Sequence, residues 1–388
     1  MIHYDYILAG GGGAGLSLAY HLNYSILKDK KILIIDKDEK IKNDRTWCFW
    51  TDQPSIFDSL VHKEWERIEI TGYESQYIYP LENFKYKMLR GIDFYQETLK
   101  KLNLNPNITF LKTNILQITE EKELAKVQTE QGIFSAVWVF DSRFNPKIFS
   151  PFHPKYHYLL QHFKGWQIRT TVPCFDTSKI TMFDFRIKQD DGVHFFYVLP
   201  LENNLALVEY TVFSKKLLEN NEYEIVLEKY IKEKLKIKDF EIEEYEQGVI
   251  PMTDYNFNRQ EGKRIMNIGT KGGQARGSTG YAFLNIQRDS EAITQSLIKH
   301  GTPFYKTKTS ARFRIFDALI LNIMHRKGEI IADIFIQLFQ KNPIERVLRF
   351  LDNKTSLLED FKIMYSVPAM PFLKSIWNIF LTGKIRKS

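Results

Sequence analysis

Gly10, Gly12 and Gly15 stand in G-x-G-x-x-G register inside the run AGGGGAG, and this spacing leaves the surrounding chain few options. An apolar run, Tyr4–Ala9 (YDYILA), leads into the glycines, helix formers fill Ala14–Leu22, and a second β-branched run, Lys31–Asp36 (KILIID), follows. The pattern predicts a strand, a glycine turn, a helix and a second strand. In such a unit the first glycine permits a tight turn and the second lets backbone approach a pyrophosphate. The third lets the helix pack closely on the strand, and the helix N-terminus then faces the phosphates. Asp36 ends the second strand, placed to accept from a ribose hydroxyl and to disfavour a 2′-phosphate. The opening segment is therefore expected to bind a dinucleotide, either FAD or a nicotinamide.

A second glycine element helps to separate these two cofactors. Arg264–Ile268 (RIMNI) is strand-like and meets Gly269, Thr270, Gly272 and Gly273, and a helical pattern begins after Tyr281. A strand entering a glycine turn at a helix start is another place where backbone N–H groups meet phosphate or an isoalloxazine edge. Two such elements at opposite ends of a chain suit one long cofactor folded against both, which favours FAD. Between them, strands are expected over Ile108–Ile118, Ala125–Val127, Gly132–Phe140, Ile168–Val172, His194–Leu199 and Leu205–Val212. Leu217, Leu218, Tyr223, Ile225, Val226, Tyr230 and Ile231 have the spacing of an amphipathic helix, and helical patterns dominate from Ala282 onward.

With 388 residues, 44% of them apolar, the chain can bury one large core or two coupled ones. Its net charge of +7 is dispersed, and no zinc-ligand spacing, recognition-helix signature or RNP-type motif supports a nucleic acid partner or a metal. Two cysteines, Cys48 and Cys174, cannot make a disulfide framework, and Met1 runs directly into a strand pattern. A reducing, cytoplasmic setting is expected. No apolar run approaches the roughly 18 residues of a spanning helix, which leaves peripheral membrane contact open.

Asn43-Asp44-Arg45-Thr46-Trp47-Cys48-Phe49-Trp50 lies just after Asp36 and is unusual in its order. It resembles the N-D-x-T-W-x-F motif of the lycopene cyclases, FAD-dependent carotenoid ring-forming enzymes of bacteria and plants. Further segments agree, in order, along nearly the whole chain: DYILAGGGGAGLSLA (5–19), VFDSR (139–143), MFDFR (182–186), FFYVLPL (195–201), LVEYT (207–211), GVIPM (248–252), GTKGGQARGSTGYAF (269–283) and NPIERVLRFLD (342–352). The resemblance implies an α/β fold in which a Rossmann-type FAD-binding domain, like that of the aromatic-ring hydroxylases, is interleaved with a β-sheet and helical substrate domain. The FAD-binding parts are expected near 1–75, 100–150 and 245–300. The substrate parts are expected near 76–99, 151–244 and a helical region 301–388, all within one unit.

The same resemblance implies closure of the ψ-ends of lycopene to β-ionone rings, through γ-carotene to β-carotene, on reduced FAD, with NAD(P)H or another reductant as electron source. It places Gly10, Gly12, Gly15, Asp36, Arg45, Asp141, Gly269, Gly272 and Gly273 at the cofactor and Glu209 of LVEYT on the family's essential acid. Tyr210 stands where the family commonly has a second acidic residue, so any elevation of the Glu209 pKa is expected from burial.

Such a cyclisation needs a proton delivered to a terminal alkene, attack on the resulting tertiary cation by a neighbouring double bond, and loss of a proton from the new ring. No electrons are gained or lost. A carboxylic acid kept neutral by an apolar pocket would serve. By pattern alone, a Glu between Val208 and Tyr210 is equally compatible with a solvated, outward-facing strand residue. Cation-stabilising aromatics are sought among Trp47, Phe49, Trp50, Phe195, Phe196, Tyr197 and Tyr281, most of which are expected simply to pack. Arg45 either faces the flavin or pairs with Asp44; Arg276 is either a cofactor contact or a solvated loop residue.

Lycopene and related acyclic carotenoids live in lipid, so peripheral association with the inner face of the cell membrane is expected. The segment Met370–Ser388 (MPFLKSIWNIFLTGKIRKS) suits an interfacial helix with basic flanks, or a helix docked on its own domain. Two rival readings share the fold: a flavin oxidoreductase such as a hydroxylase or prenyl reductase, and a carotenoid-binding flavoprotein without catalysis.

Overall fold

The computed structural model describes residues 2–149, 155–306 and 310–382. The first sheet has the order β8 (Ile108–Lys112), β2 (Ile32–Asp36), β1 (Ile2–Ala9), β11 (Gly132–Asp141), β10 (Leu124–Thr129), β9 (Ile115–Glu121), with β17 (Ile265–Asn267) beside β11. β8, β2, β1, β11 and β17 are mutually parallel, which accounts for their nearly continuous apolar runs, since both sheet faces are covered. Helix α1 (Gly13–Asn23) makes the crossover from β1 to β2 and packs against α2 (Gly91–Leu102) and α4 (Phe283–His300).

The second sheet has the order β16 (Phe240–Thr253), β12 (Tyr158–Thr170), β15 (Leu205–Ser214), β14 (Val193–Glu202), β13 (Ile180–Asp184), β5 (Arg67–Thr71), β6 (Gln76–Pro80). Period-2 alternation divides its residues between two cores. Leu207, Phe195 and Phe213 join a core with α5 (Ala311–Lys327), α6 (Ile331–Gln340) and α7 (Ile344–Leu351), whereas Phe196, Val208, Tyr210 and Val212 pack under α3 (Asn220–Glu233). A small sheet, β3 (Thr46–Thr51), β7 (Lys85–Arg90) and β4 (Lys63–Trp65), joins the two halves: Phe49 enters the core around α1 while its neighbour Trp50 enters the core of the C-terminal helices.

The α/β class with a Rossmann-type sheet is as expected, but the segment boundaries shift. Arg67–Thr71, in the span expected for cofactor binding, pairs with β13 and β6 in the second sheet. Gly91–Leu102, in the span expected for substrate, packs on α1. The strand expected at Ile168–Val172 begins ten residues earlier, at Tyr158. Buried His162 and Lys164 interrupt its apolar pattern; His162 is satisfied by the hydroxyls of Tyr223 and Ser214, and Lys164 pairs with Glu224.

After α7 come α8 (Leu357–Ser366) and α9 (Ala369–Thr382). α9 docks on α5 through Ile379 and Phe372 but leaves Met370, Leu373, Ile376, Trp377, Phe380 and Leu381 exposed. α8 adds exposed Leu357, Leu358, Phe361, Met364 and Tyr365. Lys384, Arg386 and Lys387 of the expected basic flank lie outside the described residues. Among the described residues no helix is long and apolar enough to cross a membrane.

Candidate active site

A cavity of about 750 Å³ runs from the glycine turn to the face of the second sheet. At its first end Gly10 has φ of +109°, a conformation favouring glycine, and the turn places Gly12 as N-cap of α1 with no side chain capping the helix. A Cβ on Gly12 would meet nothing within 4 Å, whereas one on Gly15 would strike the Gly10 carbonyl oxygen. The turn is thus open toward the cavity and closed toward the strand, a cradle for a pyrophosphate. Asp36 lines this end and accepts from the Gly11 N–H at 2.6 Å, so its carboxylate is fixed beside the turn; Lys37, Lys40, Arg45 and Arg143 add positive charge. Gly269 also lines the cavity, at φ of +61°. Gly272 and Gly273 shape the turn behind it without reaching the cavity lining.

At the opposite end, strand register builds the chemistry. Gly165 on β12 pairs with Glu209 of β15 on one side and with Glu246 of β16 on the other. Directly opposed residues project from the same face, so two glutamates flank a position that has no side chain. A Cβ on Gly165 would lie 3.5 Å from both Glu209 Cβ and Glu246 Cγ. Across the vacant position the two carboxyl groups hydrogen-bond one another. Thr211 donates its hydroxyl to Glu209 Oε1 at 2.5 Å, and Thr46 donates to Glu246 Oε2.

Burial pushes the Glu209 carboxyl well above the usual carboxylate range, and the charge of Glu246 raises it further. Burial also raises Glu246, opposed by its hydrogen bonds from Thr46 and Glu209. Burial therefore favours the neutral form of both groups, and the charge of Glu246 adds to this at Glu209. Tyr197, opposite Glu209 on β14, extends the row, and its hydroxyl lies 3.5 Å from that of Tyr281. Tyr86 and Cys48 complete this end, and burial lifts Cys48, Tyr86 and Tyr197 above their ordinary values and Tyr281 to about 12. The walls beside the acid are therefore neutral and rich in aromatic faces.

The octet around Trp47 clamps this end to the rest. Asn43 Nδ2 donates to Glu244 Oε2 at 3.2 Å, the Tyr95 hydroxyl donates to Asp44 at 2.9 Å, and the Trp47 indole lies against Gly13 of the glycine turn. Arg45 both pairs with Asp44, at 3.3 Å, and lines the cavity.

Several sequence expectations change. Phe196 points away from the cavity and stacks on Tyr230 under α3, because Tyr197 beside it takes the cavity face. Phe49 and Trp50 pack in the two cores and neither lines the cavity; Phe49 stacks on Phe283 and Trp50 stands edge-on to Tyr281, both of which do. Asp141 does not line the cavity; its oxygens are taken by Arg143 and Lys271 at 2.6–2.9 Å. Arg276 is neither a cofactor contact nor solvated but a buried clamp on Asp317.

Burial is the main cause of the raised Glu209 value, as expected with Tyr210 beside it, but a carboxylate adds to it from elsewhere in the sheet. Position 210 faces the α3 core, where the Tyr210 hydroxyl meets His194, and the partner is Glu246, two strands away. Glu246 sits just before GVIPM, but only strand register identifies it.

The family described as "Lycopene cyclase protein" matches residues 5–376. A lycopene beta-cyclase of Pseudescherichia vulneris is 24% identical over 97% of each chain. Among solved structures, the flavin-dependent brominase Bmp2 superposes with a TM-score of 0.65 at 16% identity, covering 97% of this chain and 98% of that one. A Cytophaga hutchinsonii flavoprotein/dehydrogenase gives 0.61 at 12% identity, covering 99% and 100%. A geranylgeranyl bacteriochlorophyll reductase-like protein of Thermoplasma acidophilum gives 0.58 at 14%, covering 97% and 96%. With its match running from the first strand into the last helix, the chain belongs to the lycopene cyclase family.

Proposed function

We propose that the protein is a lycopene β-cyclase that closes the ψ-ends of lycopene by acid catalysis on bound, reduced FAD. The reading rests above all on one observation: a pair of glutamates, Glu209 and Glu246, faces a phenol-lined pocket in the same cavity as the open glycine turn. The open glycine turn, Asp36 and the surrounding cations fit an FAD pyrophosphate and ribose. When bound and reduced, the flavin supplies negative charge near the cationic intermediates, its electrons coming from NAD(P)H or another reductant. Glu209 protonates the terminal alkene. Tyr197, Tyr281 and Tyr86 offer ring faces to the cation, each worth up to about 2 kcal/mol when desolvated. Being held neutral, they provide no competing base.

In this reading the polyene arrives from a bilayer, and the exposed apolar faces of α8 and α9, with Lys362 and Lys374 among them, rest on the membrane surface. Replacing Trp377 and Phe380 together by Ser is expected to reduce cofloatation with anionic vesicles about tenfold while FAD content stays unchanged. Equal flotation of both proteins removes α9 from the contact.

The activity is tested by incubating the protein anaerobically with reduced FAD and lycopene-loaded liposomes and separating the products by chromatography. Cyclic carotenoids are expected. Recovery of hydroxylated or hydrogenated lycopene supports a flavin oxidoreductase instead, and unaltered lycopene a binding protein.

A further inference from the structure

Donation of a proton uses only Glu209, yet the fold builds a second carboxyl group beside it. The partners differ. Glu246 accepts from the Thr46 hydroxyl and lies within the field of Arg45, and its hydrogen bond with Glu209 favours the proton on Glu209. These surroundings favour Glu209 as the acid and Glu246 as the carboxylate. Cyclisation needs both: a proton enters at C2 of the ψ-end and another leaves from C6. In the closed ring C2 and C6 are both bonded to C1, so they are 1,3-neighbours. Two carboxyl oxygens in hydrogen-bond contact, about 2.5–3 Å apart, span a similar distance.

We propose that Glu246 is the base that removes the C6 proton, acting beside Glu209 on the same ring face. The proposal rests on the cyclase reading above. The proton of Glu209 forms the C2–H bond and leaves a cation at C1. The C5=C6 pair forms the C1–C6 bond and the cation moves to C5. Glu246 takes the C6 proton, and the C–H pair becomes the new C5=C6 bond. Glu246 is then the acid and Glu209 the carboxylate, and loss of the Glu246 proton to water with uptake of a solvent proton by Glu209 between turnovers restores the starting state.

Wild type and Glu246→Gln are compared after anaerobic reduction of bound FAD and incubation with lycopene in vesicles, with end groups assigned by NMR. Wild type is expected to make β-type rings; if it makes no ring, the cyclase reading fails, and this proposal with it. Glu246→Gln keeps the acid and loses the base, so it is expected to close rings whose C5 cation sheds a proton from C4 or from the C5 methyl. The ratio of such rings to β-type rings should rise about tenfold or more. Purely β-type product from a ring-forming Glu246→Gln overturns the proposal. So does complete loss of ring closure in a variant that still binds FAD, because Glu246 is then needed for donation. If Glu246→Gln does not retain FAD, the same ratio is read in Thr46→Val, which removes the hydroxyl that positions Glu246; an unchanged ratio there overturns the assignment.

Discussion

Glu209→Gln is expected to slow ring closure by about 10²–10⁴-fold, the contribution of a positioned general acid, while making the folded protein more stable at neutral pH. The two effects have one origin. Burial and the neighbouring Glu246 hold the Glu209 carboxyl well above its ordinary value. Between the unfolded value, about 4.3, and the raised folded one, the unfolded chain has lost the proton that the folded chain keeps. Stability contributed by the neutral acid is therefore full below the unfolded value and is lost as pH rises through the window. Glutamine does not titrate. The variant's advantage should be absent near pH 4 and grow upward by about 1.4 kcal/mol per pH unit until the folded value is reached. Denaturant midpoints of both proteins, measured across this range, check it. Parallel curves would mean that Glu209 is solvated, and full activity in the variant would remove it as the acid.

The second large effect concerns stability alone. Arg276, 7% exposed, gives Nε and Nη2 to Asp317 Oδ1 at 3.1 and 3.0 Å, and Nη1 to the carbonyl oxygens of Phe350 and Leu351. It therefore joins the turn before α4 to α5 and to the end of α7. Arg276→Ala leaves a largely buried carboxylate with the Ser278 hydroxyl, 2.6 Å away, and removes the guanidinium donor from the Phe350 and Leu351 carbonyls, the first of which keeps the Asn353 N–H. Removing one partner of a buried pair of this kind costs about 3–5 kcal/mol. Arg276→Lys keeps the charge but not the planar fork, and should fall between. Urea unfolding of the three proteins measures the series; an alanine variant within about 0.5 kcal/mol of wild type contradicts the clamp.

Local rules made the glycine end of the cavity legible. The strand–glycine–helix unit is set by residues close in sequence, so Gly10, Gly12, Gly15 and Asp36 could be read from spacing, and the turn has the geometry that spacing implies. The acid end depends on pairing between distant strands. Glu209 and Glu246 meet only because both register against Gly165, and no local pattern carries that information. A one-residue parity argument was nevertheless available: with Glu209 facing the cavity, position 210 and Phe196, the register partner of Tyr210, must face the other side. Arg276 was misread for a related reason, since its partners lie 41 and 74 residues away, in helices that the sequence alone did not place.

The most direct measurement of a non-redox, proton-initiated reaction is turnover of lycopene in deuterium oxide under anaerobic conditions with stoichiometrically reduced FAD. Each ring closed should carry one deuteron at C2, and the flavin absorbance should remain that of the reduced form after many turnovers. Product free of deuterium, or flavin oxidised in step with product, contradicts acid-initiated cyclisation and makes the protein a redox enzyme on the same fold.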